Sequence, residues 1–202
     1  MPRATPLPAD ERRAALIAAT EPLLEEFGRE VSTRQIAEAA GIAEGTIFRV
    51  FSTKEALIDA VVDEVFDISS TCEQLGTIDR DLALETRVEL AVSILQARLR
   101  RVFRLFHMLR LSRRGPEDHE QLRQRQQSDN ERLNAALAAV LKPDENRLRL
   151  DPETAASALR TITFSMSHPI LAEPKLADPL RIVDLVLHGI VHPHPMQKQS
   201  SC

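Results

Sequence analysis

Apolar residues recur along most of this chain with the three-to-four-residue spacing of amphipathic helices. Breaks in the pattern fall at glycine and proline positions, which end helices. The spacing predicts helices over residues 10–27, 33–40, 44–50, 54–71, 82–99, 98–114, 117–141, 152–168 and 179–191. Few glycines and many Ala, Leu, Arg and Glu favour the same state. The pattern therefore predicts an all-α protein.

The stretch from Ser32 to Phe51 has the signals of two short helices joined by a tight turn. Ser32 followed three residues later by Gln35 forms a capping box, and Gly41 supplies the left-handed position that ends the first short helix. Thr53 caps the helix that follows. Two short helices at a glycine-containing turn form a helix-turn-helix, whose second helix enters the DNA major groove.

Side chains in and beside this segment have the chemistry to bind DNA. A threonine near a helix N-terminus offers a hydroxyl and free N–H groups to a phosphate, and arginines reach phosphates or base edges. A glycine lets the recognition helix approach closely. The candidates on these grounds are Thr33, Arg34, Gly45, Thr46, Arg49 and Lys54. Glu44 has three interpretations: it faces solvent or makes a local ion pair, it repels DNA, or it accepts a hydrogen bond from a cytosine amino group.

Four runs, TRQIA at 33–37, AAGI at 39–42, GTIFR at 45–49 and FSTKEAL at 51–57, resemble the DNA-binding domain of the TetR (tetracycline-repressor) family. The resemblance covers residues 10 to about 65, under a third of the chain. It is specific because the apolar positions, turn glycine, recognition helix and following cap occur in register.

The sequence departs from the family pattern at three positions. Ala43 replaces the usual capping serine, and Pro22 interrupts the first helix. Phe48 replaces a tyrosine that contacts phosphate in the family. Phe48 therefore joins the DNA-binding candidates without a hydroxyl, able to pack on a sugar or a thymine methyl, or to be core.

The resemblance implies a fold and a division of the chain. An N-terminal three-helix domain carrying the helix-turn-helix would join a C-terminal helical bundle that dimerises through its last two helices. The expected parts are a flexible arm over 1–9, a DNA-binding domain over 10–70, an effector-binding and dimerisation domain over 71–192 and a disordered tail over 193–202.

The resemblance also implies a function, that of a ligand-responsive repressor. A homodimer would bind a palindromic double-stranded DNA operator and be released by a small apolar or amphipathic effector. Candidate effector-pocket residues, each of which is equally an ordinary core residue, are Val62, Phe66, Leu95, Phe103, Phe106 and Phe164. The alternatives are a C-terminal domain that binds a protein partner, and an enzyme with an accessory DNA-binding domain.

The arginine-rich segment 98–114 also has two interpretations. It could be a second nucleic-acid or anion site. The favoured interpretation is a solvated amphipathic helix whose arginines pair with nearby acids.

Composition narrows the remaining possibilities. The chain has 202 residues, 43% hydrophobic and 28% charged, with a formal net charge of −4, which allows a local basic face. The N-terminus lacks the apolar core of a signal peptide, and no apolar run is long enough to span a membrane. Two distant cysteines, Cys72 and Cys202, fit a reducing cytoplasm. The Ser, His and Asp residues lack diagnostic spacing, so we expect no catalytic site and no cofactor. His188 and His192 have the i, i+4 spacing of a helical metal pair, but no carboxylate or thiol accompanies them and Pro193 breaks the helix there, so we expect no metal.

Overall fold

The computed structural model describes residues 8–109 and 119–189, except for the side chains of 119–123 and 125. Within these ranges every regular element is a helix, as predicted. The expected arm up to residue 7, the tail 193–202 and His192 lie outside the described residues.

The α-helices are labelled α1 to α9 in chain order. They span Ala9–Phe27, Thr33–Ala39, Glu44–Ile47, Lys54–Phe66, Ser69–Gly76, Leu84–Leu109, His119–Leu141, Pro152–Ser167 and Pro179–His188. Shorter 3-10 helices occur at Gly28–Glu30, Lys142–Arg147 and Pro174–Leu176. Among these described helices, none combines the length and the apolar character needed to cross a bilayer.

Two compact units divide the chain. The first contains α1 to α4 and residues 100–109 of α6, and the second contains α5, residues 84–99 of α6, α7 from Glu120, α8 and α9. Our sequence interpretation grouped residues 100–109 with the C-terminal bundle. The structure groups them with the first unit, because side chains on one face of this half-helix are buried in its core: Val102, Leu105 and Leu109.

The first unit is built on an apolar core to which all four of its N-terminal helices contribute. Helix α1 packs against α2 and α4, and α2 packs against α3. Fully buried side chains of this core include Leu24, Val31, Ile36, Ile47, Leu57 and Val61. Burying a side chain of this size contributes about 1.5–3 kcal/mol, so this core fixes the short α2 and α3, which could not form alone.

The second unit has its own apolar core, formed by one face each of α5 to α9. Helix α8 packs against α9, where Ile182 and Val183 are buried. Asp151 and Asp178 accept hydrogen bonds from backbone N–H groups at the starts of α8 and α9.

Two helix boundaries differ from those that the apolar spacing predicts, and one helix passes through a proline. The predicted helix 54–71 is broken at Asp67, whose backbone is extended at ψ 132°, and α5 starts afresh at Ser69. Val65 is buried in the first core and Ile68 in the second, so the chain changes cores where it breaks. The predicted segments meeting near residue 98 form one uninterrupted helix, and α1 continues through Pro22.

Candidate nucleic-acid interface

The first helix of the pair is fixed at both ends by local hydrogen bonds. Ser32 Oγ accepts from the Gln35 N–H at 3.2 Å while Gln35 Oε1 accepts from the Ser32 N–H at 2.8 Å, which confirms the capping box. At the other end Gly41 has φ +66°, and the Ile42 N–H donates to the Ala37 carbonyl at 3.0 Å. These bonds form a Schellman ending, and they aim the chain into α3.

Helix α3 is one turn long, and buried apolar side chains anchor one side of it to the core of the first unit. Ile47 is fully buried, and Phe51 is 4% exposed with the Arg13 guanidinium 4.5 Å above its ring. The sequence predicted a helix to Val50, whereas the helix ends at Ile47 and turns continue to Val50. Ala43, at its N-cap, makes no side-chain cap, as the alanine led us to expect.

The opposite side of this segment is exposed. Gly45, Arg49 and Arg34 are exposed, Phe48 is 50% exposed and Thr46 is half-buried. A Cβ built on Gly45 would meet no described atom within 4 Å beyond its own helix backbone. The fold itself therefore does not require glycine there, in contrast to a close-packed position.

Thr33 makes a contact that changes its predicted role. Its hydroxyl donates to Glu44 Oε1, linking the first residue of α2 to the first residue of α3. A hydroxyl has one hydrogen, and both carboxylates and phosphates are acceptors. While this bond lasts, Thr33 can meet a phosphate only through its backbone N–H. No local pattern in the sequence indicates this pairing, because the two residues are eleven positions apart.

Lys54 is also engaged by the protein itself. Its ammonium donates to the carbonyls of Arg29 at 3.0 Å and Val31 at 3.2 Å, which ties the start of α4 to the segment after α1. An ammonium has three N–H groups, so the third can still serve a phosphate. Lys54 thus makes a structural contact that the sequence did not indicate, and its DNA contact stays a prediction. Thr53, beside it, caps α4 by accepting from the Ala56 N–H at 3.0 Å, as predicted.

The six candidate pocket residues are divided between the two units. In the first unit, Phe66 and Phe106 stack edge to face with ring centroids 5.4 Å apart. Val62 and Phe66 pack against the edge of the first core, and Phe103 is half-buried. Leu95 is buried in the second core, and Phe164 is 43% exposed. Their role in effector binding stays a prediction.

Arginines of α6 contact α1 at a regular spacing that the sequence could not show. Arg101 forms a two-bond fork with Glu21, 2.7 Å in each arm, and Arg104 Nε lies 3.0 Å from Glu25. The hydrogen bonds that Arg101 donates to Glu21 raise the pKa of the Arg101 guanidinium. These pairs confirm the amphipathic-helix interpretation for this part of the basic segment.

The residues that the structure describes contain no cluster of three or more side chains that could hold a metal ion.

Residues 16–61, which include the whole helix-turn-helix, match the model of a family described as bacterial regulatory proteins, tetR family. The match begins within α1 and ends within α4. It thus covers the apolar residues that position the recognition helix as well as its exposed face.

Three solved structures share the fold over most of the chain. A TetR-family transcriptional regulator from Mesorhizobium loti MAFF303099 aligns with TM-score 0.60 at 21% identity, covering 90% of this chain and 96% of that one. NalD of Pseudomonas aeruginosa, the secondary repressor of the MexAB-OprM multidrug efflux pump, aligns with TM-score 0.53 at 23% identity, covering 92% and 100%. FadR of Bacillus subtilis, a transcriptional regulator in complex with stearoyl-CoA, aligns with TM-score 0.55 at 18% identity, covering 88% and 99%.

Proposed function

Because residues 16–61 match the model of the TetR family of bacterial regulatory proteins and the chain shares the fold of a TetR-family regulator, we propose that it is a ligand-responsive repressor of this family that binds a palindromic operator as a homodimer. One observation carries the DNA-binding part of this proposal: small, cationic and apolar side chains are exposed together on the helix-turn-helix. Gly45 permits close approach, Arg49 reaches base edges or phosphate, and Phe48 packs on sugar or a thymine methyl.

The homodimer part rests on apolar exposure in the second unit. Phe164 on α8 and Leu180 on α9 are 43% and 59% exposed. Large apolar side chains exposed on adjacent helices favour burial against a second copy. A two-fold dimer presents two recognition helices, which accounts for an operator of two inverted half-sites.

The effector part rests on the family and on the apolar character of the bundle. An effector acts by binding one conformation of the regulator more tightly than the other, which changes its affinity for DNA. The similar FadR binds stearoyl-CoA and the similar NalD is a repressor. By analogy we assign this chain an apolar or amphipathic effector and a repressing role.

Selection of bound duplexes from a random DNA pool, followed by fluorescence anisotropy on the selected site, tests the proposal. We expect an inverted-repeat consensus and an affinity loss of roughly 5- to 150-fold for Arg49→Ala, because the side chain gives up groove contacts worth about 1–3 kcal/mol. Arg132→Ala, at an exposed arginine of the second unit, is the matched control. A pool without consensus, or equal losses in both variants, would contradict the proposal.

Lys54→Ala tests the predicted phosphate contact at the start of α4. We expect a shallower dependence of log affinity on log salt concentration, by about one unit, because one phosphate contact is lost. The melting temperature should also fall, because the Arg29 and Val31 carbonyls lose their donor. An unchanged salt dependence with a lowered melting temperature would leave Lys54 a purely structural residue.

A further inference from the structure

Glu44 is an acidic side chain on the exposed side of the helix-turn-helix. Under the proposed function this surface faces DNA, which is itself negatively charged. Glu44 is exposed, and it precedes Gly45 as the first residue of α3. We propose that Glu44 reads a cytosine in each operator half-site by accepting a hydrogen bond from the cytosine amino group. This inference rests on the proposed function and names the base chemistry that the recognition helix selects.

The carboxylate of Glu44 is held in place by a contact from the neighbouring helix. Thr33 Oγ1 donates to Glu44 Oε1, and Thr33 is itself fixed as the first residue after the Ser32 cap. A carboxylate has about four acceptor sites, so the bond to Thr33 leaves capacity for another donor. Anchoring at one oxygen orients the second, which is what a base-reading group requires.

The hydrogen-bond donors and acceptors of the DNA major groove determine which base Glu44 can contact. An ionised carboxylate only accepts hydrogen bonds, so it cannot bind phosphates or the acceptor edge of guanine. The major-groove donors are the amino groups of cytosine and adenine. Adenine places an acceptor nitrogen beside its amino group, which repels a carboxylate, whereas the acidic side chains pair with the cytosine amino group.

Position on the recognition helix supports the same role. In helix-turn-helix proteins the N-terminal residues of the recognition helix contact the base edges. Glu44 and Gly45 occupy these positions in α3. Gly45 brings the backbone close to the groove floor, which shortens the distance that the Glu44 side chain must span.

Selection from a random duplex pool with the wild-type chain and with Glu44→Gln tests the inference. We expect a cytosine in each wild-type half-site that Glu44→Gln no longer prefers, with about tenfold loss of discrimination against other bases at that position. The rest of the consensus should remain. Glu38→Gln, at an exposed glutamate of α2, is the matched control and should keep the wild-type consensus.

Thr33→Val provides a second variant that keeps the carboxylate and removes its anchor. We expect a smaller loss of discrimination at the same base pair only, with an unchanged melting temperature. An identical consensus in wild type and Glu44→Gln would overturn the inference. So would a uniform gain of affinity for all sequences, which would show that the carboxylate only repels DNA. A wild-type pool without any consensus would overturn the proposed function itself, and this inference with it.

Discussion

The two units differ in where they keep their polar groups. In the first unit, Thr20 is the buried polar residue among those described, and its hydroxyl is satisfied within α1 by the Leu16 carbonyl at 2.7 Å. The second unit buries polar side chains on three helices. These are Thr71, Arg87, Gln96 and Thr163. The first unit thus has an almost wholly apolar interior, and its candidate DNA-binding side chains lie on the surface. The second unit has polar side chains in its interior.

Two of these buried polar side chains, Arg87 and Gln96, connect segments that are distant in sequence. Arg87 donates to the carbonyls of Arg80, Leu82 and Val140 and pairs with Asp144. Gln96 donates to the Ser167 hydroxyl and the Ala177 carbonyl, at 3.0 and 2.7 Å. Directional bonds of this kind specify one packing of helices where apolar faces alone would allow several.

This difference separates the tasks of the two units. A DNA-binding domain needs exposed polar groups on a rigid backbone, and a well-packed apolar core provides that rigidity. In a bundle of long helices the helices must pack in one register, and buried hydrogen bonds fix that register. The fold is then strongly destabilised when one partner of such a bond is removed. Substitutions of comparable chemistry in the two units should therefore have unequal effects.

The largest effect should come from Arg87→Met. The Arg87 side chain is 2% exposed, and its removal takes a donor from three backbone carbonyls and leaves Asp144 with Arg147 as its remaining partner. We expect the free energy of unfolding of the second unit to fall by about 3 kcal/mol. Because the chain contains no Trp or Tyr, urea unfolding should be followed by far-ultraviolet circular dichroism.

Arg101→Met in the first unit is the matched comparison. Arg101 also forks onto a carboxylate, but its side chain is 41% exposed. We expect a loss of about 0.5 kcal/mol, because water screens an exposed pair. If both substitutions cost the same, burial of polar groups would not distinguish the two units.

A pair of glycines in the first unit should give the next largest contrast. Gly28 has φ +57° and ψ −140°, and a Cβ there would lie 3.0 Å from the Met108 carbonyl oxygen. We expect Gly28→Ala to lower the free energy of unfolding by about 1–3 kcal/mol, because only glycine adopts this backbone without strain. Urea titration of the two glycine variants measures the difference.

Gly45→Ala should behave in the opposite way. No described atom crowds a Cβ at this helical position, and alanine favours helix over glycine by up to about 1 kcal/mol. Stability should therefore be kept or raised while affinity for the selected operator falls. A variant that retained full affinity would mean that α3 does not approach DNA at Gly45.

The same difference explains what could be predicted from the sequence. The helix-turn-helix follows from local signals: the Ser32–Gln35 cap, the Gly41 turn and the Thr53 cap lie within a few residues of their partners, and the structure confirms all three. The apolar spacing likewise predicted an all-helical chain.

Contacts between segments far apart in sequence could not be predicted. Arg87 looks like any helix-surface arginine until α7 and the turn after it are placed beside α6. The Thr33–Glu44 bond and the second role of Lys54 depend on the angle between short helices, which periodicity does not encode. The sharing of α6 between two cores was hidden for the same reason: its apolar face is continuous across the boundary.

The smallest effect concerns the acid side of the stability curve. Hydrogen bonds from Arg87 and then Arg147 hold the pKa of Asp144 below its ordinary range. A carboxyl with a lowered folded-state pKa stabilises the fold fully above its unfolded pKa of about 3.9, and this contribution is lost as the pH falls through the folded value. We expect the melting temperature of the wild type to fall more steeply than that of Asp144→Asn below about pH 4, measured by circular dichroism at low salt. Parallel curves would mean that Asp144 contributes no pH-dependent stability.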